Sequence, residues 1–185
     1  MPGPFGELEY LAAFLDGLGP ERTEYLEAAR SAARKVRFTG RLEHTDLPSV
    51  LPAFTAQVVP STFPEAFGMV AAEAACCGAL PLSAAHSGLA EVSAILAGAL
   101  TPEQRPLLAF ERGPSAVPDI AERLIRWLDL PAAEREGAAS ALSETARRRF
   151  GWQGVANGVI AAAEGRLGDL PRPGVPEPPS SPASG

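Results

Sequence analysis

Apolar residues recur every three or four positions in the first part of the chain, which predicts two amphipathic helices over residues 5–16 and 20–35. A short segment rich in glycine and proline separates them, as expected where one helix ends and another begins. Residues 36–40 (VRFTG) instead alternate apolar and polar side chains and stop at a glycine, which predicts a short strand. The chain is therefore expected to open with a helical pair that leads into a strand.

Helical and strand patterns then alternate along the middle of the chain. The predicted elements are a helix at 46–54, a strand at 56–60, a helix at 68–77, a strand at 79–83 and a helix at 89–96. The strand at 56–60 is mostly apolar, so we expect it to be covered on both faces. Alternation of this kind with short links is typical of an α/β fold with a parallel sheet and flanking helices. In such sheets, ligands bind outside the carboxyl ends of the strands.

The last third of the chain is predicted to be helical before its composition changes. Helical spacing of apolar residues marks segments near 117–130, 132–149 and 152–165, which we expect to pack on the sheet. Proline, glycine and serine dominate the end, and this composition predicts disorder. The predicted division is a helical lead-in at 1–35, one α/β domain at 36–169 and a tail at 170–185.

Composition narrows the possible partners. The 185 residues are 46% hydrophobic, enough for one ordinary core, and the formal net charge is −6. An acidic chain lacks the broad basic surface that neutralises a nucleic-acid backbone, so no nucleic-acid partner is predicted. The apolar runs are too interrupted for a transmembrane segment, and the N-terminus lacks the pattern of a signal peptide, so we expect a cytoplasmic protein.

The cysteines and histidines do not suggest a metal site. Cys76 and Cys77 are adjacent in an alanine-rich segment, and we interpret them as two small buried apolar side chains. His44 and His86 are too few and too far apart to predict a zinc site. For His86, two interpretations stay open: a position at the mouth of a pocket, or a loop histidine with a local hydrogen bond.

The segment from Pro60 to Ala74 carries the candidate chemistry, because it follows a predicted strand and opens a helix. Gly68 in the first turn would let a ligand approach the backbone, and the free N–H groups of Gly68, Met69 and Val70 would present partial positive charge to a phosphate. The alternative is that the glycine only allows close packing.

Two glutamates in this segment are candidates for binding polar groups. Glu73 lies inside an alanine-rich helix, where a carboxylate needs strong partners, and the paired hydroxyls of a ribose would suit its two oxygens. The alternative is a glutamate on the one solvent-facing side of a buried helix. Glu65 precedes the helix and could equally be a carboxylate favoured by the helix dipole.

These residues resemble a known family. Glu65 and Glu73 are separated by seven residues in PEAFGMVAAEAA, which resembles the E-x7-E signature of family 4 glycosyltransferases. VRFTGRLEH is similar to the strand and loop before that signature, HSGLAEV to the glycine-containing loop and helix after it, and RFGW at 149–152 to the element that opens the last helix. Together the matches cover roughly residues 36–165 in the family's order.

The resemblance implies a retaining enzyme of the GT-B fold, with two facing Rossmann-like halves, that transfers a sugar from a nucleotide-diphosphate sugar to an acceptor hydroxyl. This chain would be the C-terminal, donor-binding half, the nucleotide sugar would be its donor substrate, and no metal or other cofactor is expected. Glu65 would be the catalytic residue at the donor sugar, and Glu73 would bind the ribose. The resemblance also implies that the backbone amides around Phe67, Gly68, Met69 and Val70 bind the donor. Arg41 and Leu42 would contact the base of the nucleotide.

The chain also departs from the family pattern. The family's first strand of this domain is followed by a basic residue and a lysine-glycine pair, whereas Lys35 is the only lysine here and ends a predicted helix. We also expect the acceptor-binding N-terminal domain that the resemblance implies to be missing from this chain. We therefore expect an N-terminally truncated chain with a sheet incomplete at its N-terminal edge. A non-catalytic fragment that binds a nucleotide sugar or a partner, and an inactive chain with an exposed sheet edge, stay as alternatives.

Overall fold

The computed structural model describes residues 8–170, with side chains from residue 11 onward; the predicted start of the first helix and nearly all of the predicted tail lie outside this range. The described residues form eight α-helices and three strands. Their bounds are α1 (Leu8–Gly17), α2 (Arg22–Ala32), α3 (Leu47–Val50), β1 (Ala56–Val59), α4 (Met69–Cys76), β2 (Leu80–Ala84), α5 (Ser87–Ala97), β3 (Ala109–Phe110), α6 (Ala116–Leu128), α7 (Ala132–Phe150) and α8 (Trp152–Ala163).

The chain divides into two compact units between Leu47 and Pro48. The first unit contains the two predicted helices, α1 and α2. Arg22 and Asp16 form an ion pair at 2.8 Å, and the rings of Phe14 and Tyr25 meet edge to face with centroids 5.2 Å apart. No side chain described between residues 11 and 47 is buried, so this unit has no core of its own among those residues.

The predicted strand at 36–40 is wrong, because residues 36–43 adopt no regular secondary structure. Val36 and Phe38 are 50% and 63% exposed, and Gly40 has a positive φ of 69°. A strand requires a neighbour that accepts and donates its backbone hydrogen bonds. Among the described residues, none of the strands pairs with this segment, so its alternating pattern produces no strand.

The second unit contains a parallel sheet in the order β1-β2-β3, which confirms the α/β, Rossmann-like fold class. Val59 pairs with Ser83, and Ala84 pairs with Phe110, so the carboxyl ends of the three strands lie on the same side of the sheet, which we call its carboxyl edge. Helices α4 and α5 make the connections between successive strands. The sequence pattern did not predict β3, which is only two residues long.

Strand β2 is the centre of the sheet, and all five of its residues are buried. Its Pro81 lacks an N–H group, but this does not remove any hydrogen bond between β2 and β3. The N–H of Leu80 donates to the Thr55 carbonyl on the β1 side, so the nitrogen of Pro81 faces the other side, where β3 begins two residues further along. By contrast, β1 lies at an edge of the described sheet, where Val59 is buried and the other three residues are half-buried, so the expected cover on both faces is only partial.

The core lies between the sheet and the helices around it. Helix α6 contributes the fully buried Trp127 and packs on β3, which confirms its predicted packing on the sheet. Helix α7 contributes the fully buried Leu142 to the core but packs on α4, so the prediction that it packs on the sheet is wrong. Helix α8 contributes nothing to this described core cluster and packs on α7 instead, so the prediction that it packs on the sheet is wrong. Its Trp152 is 90% exposed. Within residues 8–170, none of the helices is long and apolar enough to cross a membrane.

Candidate functional site

Two connecting segments of the second unit meet at the carboxyl edge of the sheet. The first, which we call the glutamate loop, spans residues 60–68 between β1 and α4. The second, which we call the serine turn, spans residues 85–88 between β2 and the first turn of α5. Because β1 and β2 are adjacent and parallel, their carboxyl ends bring these segments together.

Gly68 ends the glutamate loop and caps α4 with a left-handed conformation, φ 82° and ψ 43°. A Cβ at this position would lie 2.9 Å from Leu89 Cδ2 and 3.1 Å from the Leu89 Cα. Glycine is therefore required both by the φ angle and by the contact with α5. The packing role considered for this glycine is confirmed.

The first turn of α4 leaves three backbone donors outside the hydrogen bonds of the helix. The N–H groups of Ala71 and Ala72 both donate to the Gly68 carbonyl, at 3.1 and 3.3 Å. The N–H groups of Gly68, Met69 and Val70 precede them, and no side chain caps this helix start. Several apolar side chains around it are exposed, among them Phe63, Phe67, Met69 and Val70. The predicted anion-binding amides thus lie at an uncapped helix start, where Met69 and Val70 are exposed and Gly68 is buried.

The serine turn holds the backbone of Glu65 on both sides. The Glu65 N–H donates to Ser87 Oγ at 2.9 Å, and the Gly88 N–H donates to the Glu65 carbonyl at 2.9 Å. A Cβ at Gly88 would lie 2.5 Å from the N and Cα atoms of Phe67. The absence of a side chain at Gly88 is therefore what lets the two segments approach so closely.

His86 links the start of the glutamate loop to the serine turn. Its Nε2 lies 2.8 Å from the Ser61 carbonyl, and its Nδ1 lies 3.0 Å from Ser87 Oγ. A carbonyl only accepts, so Nε2 carries the hydrogen, and in the neutral ring Nδ1 accepts from the Ser87 hydroxyl. The prediction of a local hydrogen bond for this histidine is confirmed.

Two further contacts fix the glutamate loop from other elements. Phe67 meets Phe150, the last residue of α7, edge to face with ring centroids 5.5 Å apart. Arg112, just after β3, donates from Nη1 to the Thr62 carbonyl at 3.0 Å. The sequence reasoning did not identify Ser61, Ser87 or Arg112. A Ser-Gly pair after a strand is the only sequence signal for the turn, and nothing marks the Arg112 contact, which spans 50 positions.

Glu73 lies in α4, where Ala71, Ala72, Ala74 and Ala75 around it are buried and its own side chain is half-buried. Its carboxylate is therefore at a partly open side of α4, whose first turn also exposes Met69 and Val70. Among the described residues, no group of three His, Cys, Asp or Glu side chains could hold a metal ion.

The two cysteines end α4 and are half-buried, so the prediction that they are buried is wrong. Cys76 is the last residue of α4 and Cys77 follows it, at the end of the helix that contacts α7. The Cys76 carbonyl there accepts hydrogen bonds from Ser143 Oγ at 2.8 Å and Arg147 Nε at 3.0 Å. Burial raises the pKa of the Cys76 thiol, and the nearby Cys77 raises it further, so this thiol is neutral at pH 7.

Arg41 and Leu42 belong to the first unit, and all the other predicted site residues belong to the second. Arg41 Nε lies 3.5 Å from Glu43 Oε1 in an exposed ion pair. Their contact with a nucleotide base stays a prediction.

The family profile described as "Glycosyl transferases group 1" matches residues 8–149, which include the glutamate loop, α4 and the serine turn. The chain belongs to this family. It is 32% identical over 162 residues to a glycogen synthase of Mycobacterium tuberculosis, and 33% identical over 144 residues to a D-inositol 3-phosphate glycosyltransferase of Frankia alni. The two alignments cover 84% and 76% of the chain, respectively.

The group 1 match confirms the glycosyltransferase resemblance at the level of the family. The chain spans about a third of each relative, 36% of the glycogen synthase and 31% of the inositol phosphate glycosyltransferase. The comparison with solved structures gave no match. The assignment to family 4 within this group stays a prediction.

Proposed function

We propose that the chain binds the donor of a retaining family 4 glycosyltransferase, a nucleoside diphosphate sugar, for transfer of the sugar to an acceptor hydroxyl. The observation that carries this proposal is the pairing of a fixed Glu65 with the open first turn of α4. Both lie at the carboxyl edge of a parallel sheet, where such folds bind ligands. The two relatives are named for different products, so the proposal names the donor and not the acceptor.

The start of α4 suits a diphosphate. Three N–H groups that the helix does not use, together with the positive end of the helix dipole, favour an anion without requiring a basic side chain. This matters in a chain whose net charge is −6. As the bond to the sugar breaks, the charge that develops on the leaving diphosphate would be stabilised by the same fixed dipoles.

The two glutamates take different roles in this proposal. Glu73 is half-buried one turn further along α4 and binds the hydroxyls of the ribose through its two oxygens. Glu65 contacts the donor sugar near the reaction centre from the end of the glutamate loop. Loss of Glu73 should then weaken the binding of every ligand that contains the nucleotide. Loss of Glu65 should weaken only the part of the binding that comes from the sugar.

The proposal is tested by titrating the wild-type chain, Glu73→Gln and Glu65→Gln with a nucleoside diphosphate and with its sugar conjugate. Glu73→Gln should weaken both affinities by about tenfold or more, because a hydrogen bond to a charged group contributes about 1.5–3 kcal/mol. Glu65→Gln should leave the diphosphate affinity unchanged and reduce only the extra affinity due to the sugar.

Glu136→Gln, an exposed carboxylate on α7, is the matched control and should bind like the wild type. Equal losses for both ligands in Glu65→Gln and Glu73→Gln would contradict the division of roles. Binding of the sugar conjugate without transfer to any added acceptor would favour a binding module over an enzyme.

A further inference from the structure

Ser87 has the one unusual backbone conformation among the non-glycine residues of the described chain. Its φ is 47°, in the left-handed region that L-residues other than asparagine and aspartate seldom adopt. Strained residues of this kind persist only where the surrounding structure holds them, and they concentrate at functional sites. The conformation of Ser87 therefore needs a local cause.

The left-handed turn directs two groups of the serine turn to the same peptide segment. Ser87 Oγ accepts from the Glu65 N–H, and the next residue, Gly88, donates its N–H to the Glu65 carbonyl. Glu65 is thus held at both its backbone donor and its backbone acceptor. The three residues before it, Thr62 to Pro64, are exposed, so these two hydrogen bonds do much to fix the position of the Glu65 Cα.

His86 orients the Ser87 hydroxyl. Its Nε2–H donates to the Ser61 carbonyl, which leaves Nδ1 as the acceptor for the single hydrogen of the hydroxyl. The lone pairs of Ser87 Oγ then point to other donors, and the Glu65 N–H uses one of them. The result is a continuous chain of hydrogen bonds from Glu65 through Ser87 and His86 to Ser61.

We propose that Ser87 is a positioning residue, which with His86 holds the Glu65 backbone where its carboxylate meets the donor sugar. This inference rests on the donor-binding function proposed above. Ser87 acts through Glu65 and not on the ligand itself. The prediction is therefore that its hydroxyl controls the sugar-dependent part of binding and leaves the nucleotide-dependent part unchanged.

The test compares Ser87→Ala, which keeps the backbone strain, with Ser87→Gly, which relieves it; both remove the hydroxyl. Ser93→Ala is the matched control, because Ser93 lies on the same helix and its buried hydroxyl has no partner in the described part of the chain. Each variant of the 185-residue chain is titrated with a nucleoside diphosphate and its sugar conjugate. The amide hydrogen exchange of the glutamate loop and the Tm are measured in parallel.

In both Ser87 variants, the affinity for the sugar conjugate should fall by about fivefold, which corresponds to one ordinary hydrogen bond. The affinity for the nucleoside diphosphate should stay unchanged. The glutamate loop should exchange faster in both. Ser87→Gly should nevertheless have a higher Tm than Ser87→Ala, because glycine adopts the left-handed conformation without strain. Ser93→Ala should match the wild type in binding and in loop exchange.

The possible contrary results are distinguishable. If the affinity losses follow the Tm, so that Ser87→Ala loses more than Ser87→Gly, the role of Ser87 is only structural and the inference is overturned. If the wild type binds the sugar conjugate more tightly and both variants keep that gain, positioning by Ser87 is overturned while the proposed function stands. If the wild type shows no sugar gain, the role of Glu65 fails, and the inference fails with it.

Discussion

Gly88 lies at the closest approach between the serine turn and the glutamate loop. A Cβ there would come within 2.5 Å of the Phe67 backbone, which cannot move aside as the end of a flexible side chain could. We expect Gly88→Ala to lower the free energy of unfolding by about 1–3 kcal/mol, the usual range for overpacking. Urea denaturation followed by linear extrapolation measures this change.

Gly137 provides the control for this substitution. It lies inside α7, and an added Cβ would meet nothing within 4 Å. Gly137→Ala should raise the free energy of unfolding by about 0.5–1 kcal/mol, because alanine is the better helix former. Equal changes at the two glycines would show that the serine turn is not tightly packed on the glutamate loop.

Residue-level prediction from the sequence succeeded where local spacing determines the outcome. A glycine followed by an apolar run with helical spacing predicts a helix that starts at Gly68 and contains Glu73, and the structure shows both. The local hydrogen bonding of His86 was also expected. Its partner Ser61, 25 positions earlier, and the φ of Ser87 depend on how two loops meet, and one sequence does not contain that information.

At the scale of elements, a hydrogen bond of Trp127 connects α6 to the residue before β1. It is fully buried, and its Nε1–H donates at 3.0 Å to the Thr55 carbonyl, which also accepts from the Leu80 N–H. Trp127→Phe removes this hydrogen bond and leaves a small cavity. We expect a loss of about 1–3 kcal/mol in the free energy of unfolding, measured by urea denaturation with far-ultraviolet circular dichroism.

Trp152→Phe is the matched substitution on α8, where the tryptophan is 90% exposed. Its effect should stay within about 0.5 kcal/mol, as for most surface changes. A loss at Trp152 as large as that at Trp127 would mean that the exposed side of α8 is covered in solution.

The longer elements were predictable because they provide several turns of a consistent pattern. Helices α4 to α7 begin and end within a few residues of their predicted positions. The two-residue strand β3 is too short to show any periodicity, and its formation depends on pairing with the end of β2. The segment 36–40 shows the opposite case, an alternating pattern that no strand of the described chain pairs with.

For the whole molecule, the order of elements determines where chemistry can occur. Strand and helix alternate along the second unit, so a parallel sheet was predictable, and with it the edge at which the connecting loops gather. The resemblance to glycosyltransferases also followed from motifs that occur in order along most of the chain, and the group 1 match over residues 8–149 confirms it at the level of that group. The cover of β1 and the placement of α8 were not predictable, because both depend on which surfaces remain exposed after the core has formed.

The most direct test of the account is a calorimetric titration of the purified, folded chain with a panel of nucleoside diphosphates and their sugar conjugates. A short single-stranded oligonucleotide, which carries more phosphates but no sugar donor, is the control. The account predicts saturable binding to at least one nucleoside diphosphate, tighter binding of its sugar conjugate, and no binding of the oligonucleotide at physiological salt, given the net charge of −6. A folded chain that binds none of the diphosphates or their conjugates would contradict the proposed donor site.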